Sequence, residues 1–181
     1  MNYSSLKIMA TPLMVFILIL LIHQPYRLPA QQMPTPKKLT DFSFMTGEWA
    51  GKGTFYSPNG VNEFDVHESV AYAADSTTLM VHGQGFDQQG AKHHDAIGVM
   101  YFENEKLLFH AFTMQGQNVI ADVTKTGDSS FDWGYDLPNG GKIKYSVVFT
   151  ENTWEESGTY ITPDGANSYP TVKMALTRQV D

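Results

Sequence analysis

The chain has 181 residues, no cysteine and a formal net charge of −7. This length is typical of a single domain with a real apolar core. An acidic chain with only scattered Lys and Arg repels phosphate backbones, which argues against nucleic acid as a partner. The lack of cysteine excludes a disulfide framework and a lipid anchor attached through a cysteine.

The first 30 residues differ from the rest of the chain. Lys7 precedes an apolar run over residues 8–22, and no acidic residue occurs before Asp41. This pattern predicts a signal peptide with cleavage after Ala30, and hence an exported protein, periplasmic or secreted. The run is shorter than the roughly 20 apolar residues of a transmembrane helix. An uncleaved anchor, which would be the protein's one contact with a membrane, is the alternative.

A short connection joins this segment to the main domain. Residues 31–40 contain several prolines and predict an extended linker, so the domain itself is expected to cover residues 41–181. A helical turn is predicted over residues 39–46. It would place Phe42 and Met45 against the domain as a plug.

From Glu48 onward, short strand-like runs alternate with turn residues at a spacing of about ten residues. Turns rich in Gly, Asn and Asp favour hairpins, because these residues tolerate positive φ. The pattern predicts an all-β, ten-stranded, antiparallel up-and-down barrel, in which closure removes exposed strand edges. A β-sandwich is the alternative. The predicted strands cover residues 54–56, 64–72, 77–86, 96–102, 106–114, 118–124, 131–135, 142–150, 154–161 and 172–177.

The first strand opens with a G-x-W-x-G-x-G motif, formed by Gly47, Trp49, Gly51 and Gly53. This motif resembles the entry of lipocalin-like barrels and of nitrobindin-type haem-binding barrels. Residues 96–102, 153–158 and 172–178 are similar to segments of a family of uncharacterised lipocalin-like domains. The resemblance covers residues 41–178 and implies a calycin-type barrel, like those of lipocalins and fatty-acid-binding proteins, with Trp49 capping the barrel floor.

The same resemblance bears on haem, because nitrobindin-type barrels hold the haem iron through a histidine in the last strand. Residues 169–178 contain no histidine here, and Met174 is the only thioether that this strand offers. The family's haem site therefore does not carry over, and the cofactor is left undefined.

Aromatic residues are frequent in the predicted strands, and a ten-stranded barrel is wide enough to hold a lumen. Aromatic walls with a few polar groups predict a pocket for a small apolar or amphipathic molecule. Alternation within the strands suggests His110 and Glu156 as the polar groups that orient this ligand. The predicted lumen residues are His110, Phe112, Trp133, Tyr145, Trp154 and Glu156.

Two other functions remain open. His93 and His94, joined by His82 from a neighbouring strand, could hold a metal in a metal-assisted hydrolase or isomerase, although adjacent strand residues normally face opposite sides. The sequence shows no nucleophile elbow, P-loop or dinucleotide motif, so an enzyme is not the favoured hypothesis. The third hypothesis is an interaction domain whose aromatic rings fill the interior.

Overall fold

The computed structural model describes residues 36–180. Ten antiparallel strands form a closed barrel in the order β1-β10-β9-β8-β7-β6-β5-β4-β3-β2. Short 3-10 helices cover Thr40–Met45 and Ala74–Ser76. The strands are β1 Gly47–Ser57, β2 Gly60–Ala73, β3 Thr78–Phe86, β4 Lys92–Glu103, β5 Lys106–Thr113, β6 Asn118–Gly127, β7 Ser130–Asp136, β8 Lys142–Phe149, β9 Thr153–Ile161 and β10 Ser168–Arg178.

The predicted all-β up-and-down barrel is confirmed, and each of the ten predicted strand runs falls on one observed strand. Every strand pairs with its neighbours in sequence, and β1 closes the barrel against β10. The sandwich alternative is therefore wrong. Strand edges along the barrel are paired, as closure requires.

One end of the barrel is closed by the predicted helical turn, which is a 3-10 helix. Its side chains Phe42 and Met45 are buried, as the plug prediction requires. Trp49, only 1% exposed, donates a hydrogen bond from Nε1 to the carbonyl oxygen of Met45 at 2.9 Å. The Trp49 ring also contacts Phe149 and Trp154 edge-on, with centroids 5.4 and 6.0 Å away. This end is a continuous apolar core.

Arg178 ties the end of β10 to the same plug. Its guanidinium lies over the Trp49 ring at 4.1 Å and donates hydrogen bonds to the carbonyl oxygens of Phe44, at 2.9 Å, and Thr46. Beside it, Gly51 of the entry motif allows close packing of β1 on β10, because a Cβ there would collide with backbone atoms of β10.

Within residues 36–180, no helix has the length and apolar character needed to cross a membrane. The predicted signal peptide over residues 1–30, its cleavage after Ala30 and the first half of the predicted linker lie outside the described residues.

Candidate functional site

The barrel encloses a cavity of about 1340 Å³. Pockets for drug-sized ligands are roughly 300–1,000 Å³, so this cavity has room for a larger molecule. The hairpin tips opposite the plug form its mouth, where the loop over residues 87–91 and the loop over residues 114–117 contribute polar side chains to the lining. The lumen is thus closed at one end and open at the other.

Aromatic rings form one wall of the cavity. Trp133 of β7 stacks on Tyr145 of β8, with ring centroids 3.9 Å apart and an angle of 8° between the planes. Phe109 of β5 meets Trp133 edge-on at 5.1 Å. Trp154 of β9 also lines the cavity, deeper and against the apolar core. These flat surfaces suit a ligand that is itself planar or apolar.

Four of the predicted lumen residues line this cavity: Trp133, Tyr145, Trp154 and Glu156. They come from three adjacent strands, and the alternation of each strand directs their side chains inward. Their placement agrees with the expectation, while a role in ligand binding stays a prediction.

The expected inward orientation of His110 and Phe112 is wrong. Phe112 is 48% exposed and neither residue lines the cavity, whereas Phe109 and Ala111 do. A Cβ on Gly98 of β4 would collide with the Phe109 ring, so the space at this glycine accepts that ring inside the barrel. Because successive side chains alternate, His110 and Phe112 are left on the outer face, where their rings lie 4.2 Å apart.

Glu68 of β2 is a cavity residue that the sequence reasoning did not select. Its side chain is buried, with 9% of the residue exposed, and it lies against Gly83 of β3. A Cβ on Gly83 would approach Oε1 of Glu68 to 2.6 Å, so a larger residue there would displace the carboxyl group. Oε2 has no hydrogen-bond partner among residues 36–180. The signal was present, because Glu68 shares an alternating face with Val66 and Val70.

Burial changes the acidity of both cavity carboxyl groups. The pKa of Glu68 is raised to about 8, first by burial and then by the charge of Glu156. Burial raises the pKa of Glu156 to about 7, an effect that the indole groups of Trp154 and Trp133 partly offset. Burial also raises the pKa of Tyr145 well above its usual value. Both carboxyl groups therefore change their protonation state near neutral pH.

The hydroxyl Oγ1 of Thr113 also faces the cavity without a hydrogen-bond partner in the described part of the chain. Buried polar groups are nearly always satisfied in folded proteins, because an unmade hydrogen bond costs free energy. This hydroxyl and Oε2 of Glu68 therefore require solvent or a ligand in the lumen.

His93 and His94 lie together at the mouth of the cavity. A register shift between β3 and β4 pairs Gly85 with His94 and Phe86 with Lys92, so His93 is an extra residue in the ladder. This bulge lets both histidines line the cavity, against the usual alternation. The ring of His93 meets Phe64 edge-on at 5.4 Å.

The predicted third histidine of a metal site lies elsewhere. His82 is on the outer face, where its Nε2 is 2.8 Å from a carboxylate oxygen of Asp95. The structure therefore does not bring His82 together with His93 and His94. Among residues 36–180, no group of three or more His, Asp or Glu side chains is arranged to hold a metal ion.

Comparisons with known proteins bear on the fold. No family model matches the chain, and no curated protein matches it. Its structure is similar to that of Rv2717c from M. tuberculosis, with a TM-score of 0.62 and 15% identity over 80% of this chain and 100% of that one. It is also similar to the S-type phycobiliprotein lyase CPES from Guillardia theta, with a TM-score of 0.55 and 13% identity over 77% and 91% of the chains.

Both likenesses support the barrel fold of this chain. At such low identity the likeness shows the fold alone. The finer resemblance to nitrobindin-type barrels stays a prediction.

Proposed function

We propose that this protein is a binding protein that holds a small apolar or amphipathic molecule in its barrel lumen. The observation that carries the proposal is a cavity of about 1340 Å³ that combines aromatic walls with buried, unpartnered polar atoms. An interior that served only as a core would be filled at close-packed density. Here the closed end has such packing, and the lumen beyond it does not.

The shape of the site suggests the kind of ligand. The stacked pair Trp133 and Tyr145 offers a flat apolar surface, while the mouth carries amide and imidazole side chains. A molecule that combines an apolar body with at least one polar group fits this distribution. One structurally similar barrel is described as a phycobiliprotein lyase, so a linear tetrapyrrole is one class to test within this proposal.

The proposal is tested by looking for a ligand and then by refilling the lumen. Native mass spectrometry of the purified protein should show a mass excess that disappears after solvent extraction. The extracted protein should then bind 1-pyrenemethanol, which is measured by the quenching of tryptophan fluorescence from Trp133 and Trp154.

A blocked lumen provides the matched comparison. Ala111→Phe places a ring in the cavity, whereas Ser157→Phe places the same ring on the exposed outer face of β9. We expect Ala111→Phe to weaken probe binding and Ser157→Phe to leave it unchanged. A protein that carries no mass excess and binds no probe, or one whose Ala111→Phe variant binds as well as wild type, would contradict a ligand in the lumen.

We also propose that the protein is exported by its first 30 residues. The basic start, the apolar run and the small residue Ala30 support this. Expression of the full chain in a Gram-negative host, with fractionation and N-terminal sequencing, should give a periplasmic protein that begins at Gln31. An intact N-terminus in the membrane fraction would instead support the uncleaved anchor.

A further inference from the structure

The charged side chains that line the lumen have one sign. Glu68 and Glu156 face its interior, and Glu63 and Asp87 lie at its rim. No Lys or Arg of the described chain is among the lining residues. A carboxylate in the lumen would need a cation or hydrogen-bond donors to offset its desolvation, and residues 36–180 place no permanent positive charge on the lining.

The two interior carboxyl groups approach from opposite sides of the β1–β10 seam. Glu68 is on β2 and Glu156 on β9, and both are more than nine-tenths buried. The intervening strands place only apolar side chains on the lining, Phe55 from β1 and Val172 and Met174 from β10. Among residues 36–180, no cationic side chain lies between the two carboxyl groups on the lining.

The other titratable groups facing the cavity do not supply a fixed cation either. Tyr135 of β7 and Tyr145 of β8 carry phenol groups, which cannot be cationic. At the mouth, burial and the neighbouring His93 lower the pKa of His94, so its uncharged form is favoured. His93 and His94 also lie at the rim, whereas Glu68 faces the interior beside Gly83.

We propose that the ligand is a lipophilic cation, a protonated amine on an aromatic or otherwise apolar body. Its ammonium group would lie between Glu68 and Glu156, and its body would pack on Trp133 and Tyr145. This inference rests on the proposed function and specifies the ligand class of the same cavity.

Two independent features favour a cation over an anion or a neutral lipid. Oε2 of Glu68 has no partner among residues 36–180, and an ammonium N–H would provide one. The lining carries four acidic side chains and no Lys or Arg of residues 36–180, which disfavours a carboxylate ligand.

Binding of a cation should release protons from the lumen. With pKa values of about 8 and 7, Glu68 and Glu156 are largely or partly protonated in the empty barrel at neutral pH. An ammonium group favours their ionised forms, so affinity should rise as pH increases from 6 to 8. Calorimetry in two buffers of different ionisation enthalpy measures the released protons directly.

Three probes share one apolar body and differ in the charge of the attached group: 1-pyrenemethylamine, 1-pyrenemethanol and 1-pyrenecarboxylate. We expect the extracted wild-type protein to bind the amine at least tenfold more tightly than the alcohol, and the alcohol more tightly than the carboxylate. Kd values at pH 7.5 and two salt concentrations give this ranking.

The matched variants are Glu68→Gln with Glu156→Gln, against Glu155→Gln on the exposed outer face of β9. The double variant should lose the preference for the amine and its pH dependence while keeping its affinity for the alcohol, which also shows that the lumen is intact. Glu155→Gln should behave as wild type.

The outcomes separate this inference from the proposed function. Equal affinity for all three probes, or tightest binding of the carboxylate, overturns the cation inference and leaves the binding function standing. An amine preference that survives in the double variant also overturns it. If wild type binds none of the probes and yields no extractable molecule, the binding function itself fails, and the inference fails with it.

Discussion

The two ends of the barrel are built from similar strands but satisfy their buried groups differently. At the closed end, Trp49 donates its indole N–H to Met45, and Arg178 donates to two carbonyl oxygens of the plug. In the lumen, Thr113 and Glu68 have buried polar atoms without partners in the described chain. The closed end therefore stabilises the fold, and the open lumen retains unmet hydrogen-bonding capacity at a cost in stability.

Removal of the capping ring should give the largest effect. Trp49→Ala should lower the free energy of unfolding by about 4 kcal/mol, because it leaves a large cavity in the apolar core. Urea denaturation measures the loss. The comparison is Trp133→Ala in the lumen, where the ring already borders open space, and there the loss should be less than half as large. Equal losses would mean that the two ends do not differ in packing.

The second prediction is a gain in the free energy of unfolding, where the first was a loss. Glu68 has its pKa raised from about 4.5 to about 8, so the folded state binds more protons than the unfolded state between these values. Its contribution to stability is thus fully present below pH 4.5 and is lost as pH rises through 8. One pKa unit corresponds to about 1.4 kcal/mol.

Glu68→Gln should therefore stabilise the empty barrel at pH 8.5, by roughly 2–3 kcal/mol once the burial of the new amide is allowed for. At pH 4 the change should be close to zero. Thermal unfolding at both pH values gives the comparison, with Glu155→Gln as the exposed control. Destabilisation at pH 8.5 would show that the carboxylate has a partner.

The third prediction concerns the clamp at the closed end. Arg178→Gln removes the charged hydrogen bonds to Phe44 and Thr46 and should cost about 2 kcal/mol in unfolding free energy. Affinity for 1-pyrenemethanol should not change. Arg178→Lys, which keeps the charge but loses the fork of donors, should recover part of the loss. A change in affinity with no change in stability would contradict the separation of the two ends.

The smallest effect should distinguish the two faces of β5. Phe109→Ala should weaken binding of 1-pyrenemethanol by about tenfold, since an aromatic contact contributes on the order of 1.4 kcal/mol. Phe112→Ala, three residues away on the outer face, should leave the affinity within error. Fluorescence titration of both variants checks this. A matching loss in Phe112→Ala would place that ring in the lumen.

The barrel could be predicted from the sequence because hairpin turns and alternation are local signals. β2 illustrates this, since Val66, Glu68 and Val70 share a face that polar neighbours flank. β5 is different, because Leu108 and Phe109 are both large and apolar, and either face can be the inner one. The space at Gly98 on the neighbouring strand decides between them, and that contact is not local.

The candidate site could also be predicted only where the signal in the sequence is local. Trp154 and Glu156 alternate regularly, so their inward placement follows from the pattern. The pairing of His93 and His94 at the mouth depends on a bulge, which requires knowledge of the partner strand. Glu68 was not predicted as a site residue, because a single acid among apolar residues does not by itself indicate a binding site. Only the structure shows that Glu68 and Glu156 line the same cavity.

The seam between β1 and β10 has a consequence for the order of folding. The hydrogen bond from Thr177 to Ala50 joins residues 127 positions apart, whereas the other strand pairs form between sequence neighbours. Hairpins β1–β2 through β9–β10 can therefore pair early, but the ring can close only when the last strand has been made. Contacts of such long range slow folding, because the entropy of the intervening loop must be lost first. Until that moment the edges of β1 and β10 are both open to pairing with another chain.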